Sequence, residues 1–161
     1  MLFRFAMKYA AEYPQRVSKL ALMTAPVKGP NSKPWLDIIE SRGVQAWASE
    51  TMPGRFGTAL PPDAIAWWTE LMARTPKTTL QSYLRWVPGV DITADVPRIQ
   101  CPTLVVTGDN GPLHKVDETA GWQKTIKQSE LRVIKGDGWH AGGAKPDECA
   151  AMTLEFFRRG E

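Results

Sequence analysis

Cysteine and histidine are scarce in this 161-residue chain, with two of each. Cys101 and Cys149 are too few for a disulfide framework or a four-thiolate metal site, and buried thiols fit a reducing compartment. His114 and His140 form no His-Glu-x-x-His pair, and the scattered carboxylates form no calcium loop, so no metal is expected. No run reaches the roughly 20 apolar residues that span a bilayer. Arg4 and Lys8 interrupt the first residues, which therefore do not read as a signal peptide, and a cytoplasmic location is the expectation. The 20 Lys and Arg against 17 Asp and Glu give a net charge of +3. They are scattered and form no basic stripe, so the chain lacks the footprint of a nucleic-acid binder. No Gly-rich phosphate loop follows an apolar run, and no cofactor is expected. No Gly-x-Ser-x-Gly occurs either. Ser18, Ser32, Ser41, Ser49, Ser82 and Ser129 all lack the flanking glycines that hold a serine on a strained, exposed turn.

What is present is ordinary globular material, with 43% hydrophobic and 23% charged residues. The stretch from Cys101 to His140 organises it. Thr103 to Thr107 is a β-branched and apolar run opened by Pro102 and closed by Gly108, which reads as a strand buried on both faces. Leu131 to Ile134 is a second such run, stopped by Gly136 and Gly138. Between them, Val116 to Ile126 carries the interleaved apolar pattern of a surface helix. A β-α-β unit of this kind places Asp109 and His140 after successive parallel strands, on the carboxyl edge where chemistry sits in open α/β sheets.

Upstream, Met1 to Tyr13 reads as a helix apolar on several sides, ended by Pro14. Val17 to Thr24 reads as a buried strand. Residues 31 to 95 differ in texture: helical patterns over Pro34 to Glu50, Asp63 to Arg74 and Thr78 to Val87, with Thr51 to Pro62 as loop. Five of the seven tryptophans fall here, which suggests a lid or pocket lining. After His140 the Gly142-Gly143 pair reads as flexible, and Pro146 opens a last helix with Cys149, Met152, Thr153 and Phe156 on its inner stripe.

"PTLVVTGDNGPL", "LRVIKGDGWH" and "AAEYPQRVSKLALMTAP" together resemble the last part of the α/β-hydrolase fold: the acid-bearing turn, the histidine-bearing turn, and the helix and strand that follow the nucleophile. The resemblance implies a partial α/β-hydrolase fold, with a short parallel sheet of about three strands flanked by helices. Residues 1–30 and 96–161 would form the core and residues 31–95 an inserted helical cap. It implies hydrolysis of a small apolar ester or lactone through a Ser-His-Asp triad, with His140 as base and the nucleophile turn lying before Met1. The family's acid position holds Gly111. Asp109, two residues earlier, is either the acid through a rearranged loop or a cap on its own turn. Trp67 and Trp139 are the expected substrate contacts, and His114 reads as a loop residue. Asp137 lies in the histidine loop and matches no triad order. A second reading is a non-catalytic remnant that binds a small apolar molecule or self-associates. With the nucleophile strand absent, Val17 to Thr24 becomes an apolar edge, and a homo-oligomer joined there is expected.

Overall fold

The computed structural model describes residues 2–111, 115–136 and 138–160. His114 and Asp137 lie outside the described residues. Three strands form one parallel sheet in the order β1-β2-β3: β1 Leu20–Met23, β2 Thr103–Gly108 and β3 Ser129–Ile134. Leu20 lies opposite Thr103, which lies opposite Ser129. All six residues of β2 are buried, as a β-branched run between two neighbours and two helical layers requires. Strand β3 is the outer strand, and its Val133 is 41% exposed, unlike the doubly covered run read from the sequence. Strand β1 is also shorter than Val17 to Thr24. The Val17 N–H closes a 3-10 turn over Pro14–Arg16 and is not available to the ladder.

Side chains alternate across the sheet. On one face Leu20, Leu22 and Val105 meet Met7, Ala10 and Ala11 of α1 (Leu2–Glu12), with Trp122 of α5 (Val116–Gln123) in the same cluster. On the other, Leu104, Val106 and Ile134 meet Cys149 and Phe156 of the C-terminal helix α7 (Pro146–Arg158). Both cysteines are buried.

Between β1 and β2 the chain makes three helices: α2 (Lys33–Phe56), α3 (Pro62–Ala73) and α4 (Lys77–Trp86). The segment leaves and returns at one place, where an antiparallel bridge joins Lys28 to Asp91. Its helices share a cluster of Ile39, Trp47, Ala48, Leu80 and Leu84. Helix α2 is two helical pieces joined at Gly43, whose φ of 86° is open to glycine without cost. The second piece runs through Thr51 to Phe56, which the sequence marked as loop because of Pro53 and Gly54. Burial decides the difference. Ala48, Met52 and Phe56 recur at every fourth position and are 0%, 1% and 0% exposed, which outweighs the local preference of a proline. The Gly142-Gly143 pair, read as flexible, belongs to a short helical turn, α6 (Ala141–Ala144), pinned by buried Ala141 and Ala144.

Leu104→Ala should cost about 2–5 kcal/mol, since it empties a fully buried site on the central strand. Leu154→Ala, at 53% exposure, should change stability by under about 0.5 kcal/mol. Urea midpoints measure both.

Candidate functional site

The carboxyl ends of the strands converge on one loop. From the end of β3 the chain turns at Gly136 (φ +75°) and reaches His140 at the start of α6. Three attachments fix this turn. Asp109, just past β2, accepts the Gly136 N–H on Oδ1 at 2.7 Å. The Gly136 carbonyl accepts the Thr58 N–H at 3.0 Å, and the Trp139 N–H donates to the Arg55 carbonyl at 2.8 Å. Gly138 lies so close to the end of α2 that a Cβ there would fall 2.3 Å from the Arg55 carbonyl oxygen.

His140 follows directly. Its carbonyl accepts the N–H groups of Gly143 and Ala144. Its ring lies 5.4 Å from that of Phe56 and 5.7 Å from that of Trp68, centroid to centroid. Gly143 is required for space, because a Cβ there would stand 2.8 Å from His140 Nδ1. His140 as a whole stays exposed; the partial desolvation of its ring on the side of Phe56 and Trp68 holds the imidazole below its ordinary pKa, and the positive charge of Arg55 pushes the same way. Both effects favour the neutral imidazole, the form that can accept a proton. Thr24, at the end of β1, ties the site to the sheet. It adopts φ +52°, its N–H donates to Val106, and its Oγ1 accepts the Ala141 N–H at 3.4 Å.

A cavity of about 570 Å³ opens beside His140, within the range of small-molecule sites. Apolar side chains line most of it, among them Met23, Trp35, Met72, Leu80 and Trp139, and Arg4 and Arg55 are the cations among the described lining residues. Of the described lining residues only Thr24 and Tyr83 carry hydroxyls, and none is serine or cysteine. Among the described residues no cluster of three His, Cys, Asp or Glu could hold a metal. No helix among them is long and apolar enough to cross a membrane.

The structure brings Trp139 and His140 together on the cavity wall. Asp109 stays exposed, bonded to the loop that carries His140, and no hydrogen bond joins it to the imidazole. Trp67 is 58% exposed and outside the lining. One residue of helix rotation separates it from Trp68, which takes the position beside His140 and stacks edge-on to Trp67. Sequence reasoning missed Arg55, Phe56 and Thr24. Arg55 and Phe56 sat in the stretch read as loop. The spacing of Ala48, Met52 and Phe56, one every four residues, was the signal that could have recovered them.

His140 should titrate below 6.5 when followed through its imidazole resonances by NMR. Arg55→Met should move that midpoint upward, because a like charge is removed. A midpoint at or above 6.5 in the unaltered chain would contradict the environment described.

No family model matches the chain. A curated protein of Synechocystis sp., "Putative non-heme chloroperoxidase", is 30% identical over 104 residues, which is 63% of this chain and 37% of that protein. Among solved structures, the α/β hydrolase MGS-M2 from a Medee basin deep-sea metagenome library superposes with a TM-score of 0.84 at 20% identity, over 98% of this chain and 62% of that one. The enol-lactonase of Burkholderia xenovorans LB400 gives 0.83 at 16% identity, over 94% and 60%. The chain thus spans a little over a third of the curated relative and about three-fifths of the solved ones. The superpositions run over almost the whole of this chain, with its three-stranded parallel sheet, and the chain has part of the α/β-hydrolase fold.

Proposed function

We propose that this chain forms the histidine-bearing and substrate-covering part of a hydrolase acting on small, largely apolar esters or lactones. The observation that carries the reading is a histidine on the wall of an apolar cavity, at the carboxyl edge of a parallel sheet. In this reading His140 takes the proton from the attacking hydroxyl and returns it to the leaving oxygen. Trp139 and the inserted helices, residues 31–95 acting as a cap, shape the apolar side of the cavity. Asp109 acts on His140 through the Gly136 turn and not by touching the ring. The neighbour called an enol-lactonase agrees with an acyl substrate.

His140→Ala should lower any hydrolysis of short p-nitrophenyl esters by about 10²–10⁴-fold. Asp109→Ala should act mainly on stability, by about 0.5–1 kcal/mol for one exposed hydrogen bond, with a smaller loss of rate. Equal rate losses would instead make Asp109 the triad acid. An unchanged rate in His140→Ala would remove the histidine from the mechanism.

The alternative is a protein that binds a small apolar molecule or self-associates without catalysis. The lack of a serine or cysteine among the described lining residues favours it. A fluorophosphonate serine probe tests for a nucleophile on this chain: neither reading expects a stoichiometric adduct, and an adduct would overturn the non-catalytic one. Self-association has its own support. Strand β1 is an edge of the sheet, α1 beside it exposes Phe5 by 62% and Tyr9 by 44%, and Tyr13 just after α1 is 45% exposed. A homo-oligomer joined through β1 and α1 covers both. Light scattering at tens of micromolar should give more than the monomer mass, and Phe5→Glu with Tyr9→Glu should return it to the monomer. Leu20 and Leu22 point into the core, so changes there would test folding and not association.

A further inference from the structure

Arg55 lines the cavity, and the reading above gives its charge no role. Its guanidinium carbon lies 4.5 Å from the ring centre of Trp139 and 5.3 Å from that of Trp47. The two indoles hold the group in place and offer it only their π faces. Its Nε is buried with no acceptor, and no carboxylate pairs with the side chain among the described residues. Burial lowers its pKa to about 10, which still leaves it charged at neutral pH. A desolvated, unpaired cation is costly to maintain. The other cation on the wall is arranged differently. Arg4 donates from Nε to the Pro26 carbonyl at 2.9 Å and from Nη2 to the Lys28 carbonyl at 2.7 Å, so it fastens α1 to the segment after β1.

The geometry points to Arg55 as the anchor for a carboxylate on the ligand. The cavity then selects molecules with an apolar body and one carboxylate, the planar fork of the guanidinium matching the two oxygens. This deepens the reading of the cavity as an acyl-substrate site and rests on it for the position of the reacting group, but binding of the carboxylate does not require hydrolysis. A second consequence follows from the electrostatics. Arg55 helps to keep His140 deprotonated. A carboxylate bound to Arg55 offsets that charge, so the occupied site should hold the His140 proton more firmly than the empty one.

The test compares 4-phenylbutyrate with 4-phenylbutyramide, which share a body and differ in charge. Calorimetry or tryptophan fluorescence should show the acid binding at least about tenfold tighter than the amide. The acid alone should raise the His140 midpoint, followed by NMR. Arg55→Met should abolish the preference, and Arg55→Lys should keep part of it. Should either variant fail to fold, the Arg55 Nε–H resonance of the unaltered chain decides: it should shift with the acid and not with the amide. Equal binding of acid and amide, a preference that survives Arg55→Met, or an Nε–H resonance indifferent to the acid would overturn the assignment. His140→Ala should leave the preference intact. Loss of catalysis there with the preference retained supports both readings. A preference without any effect of His140 on rate would defeat only the catalytic one.

Discussion

The site depends on one junction, where the last turn of α2 meets the loop after β3. Trp139 donates to the Arg55 carbonyl, Thr58 donates to the Gly136 carbonyl, and Gly138 fills the space between. Buried backbone groups must find partners, and here the helical segment and the sheet satisfy each other's. The same few residues set the direction of the His140 ring and the place of the Arg55 guanidinium. Asp109 completes the arrangement from β2. The histidine, the cation and the acid are therefore held by a shared framework of main chain, although they come from three separate regions of the sequence.

Glycine at 138 and 143 follows from that framework. Position 138 admits the carbonyl of Arg55, and position 143 admits the imidazole. Neither requirement arises from an unusual backbone angle. Each is a matter of what stands next to the residue, so neither can be read from the local sequence.

The sheet was legible because its signals are local and strong. Thr103 to Thr107 is β-branched and apolar without interruption, bounded by Pro102 and Gly108, and burial on both faces leaves such a run few alternatives. Asp109 and His140 could be placed on one edge because parallel strands share their direction. The helices α3 and α4 were legible from their stripes. The end of α2 was not, since Pro53 and Gly54 argue against a helix locally, and only the burial of Met52 and Phe56 overrides them. That error hid Arg55, and with it the charged part of the cavity. Trp67 and Trp68 show a related limit: the sequence places both on one helix, but which indole turns inward depends on how that helix packs.

The register of the sheet also bears on how the chain reaches this structure. Leu20 pairs with Thr103 across about 80 residues, whereas Thr103 pairs with Ser129 across about 26, and the difference in closure entropy is about 1 kcal/mol. Strands β2 and β3 close the smaller loop and can meet first. Formation of the helices between Lys33 and Trp86 shortens the path to β1, so the segment between the two strands also acts as a splint that lowers the cost of bringing the sheet's first strand into register.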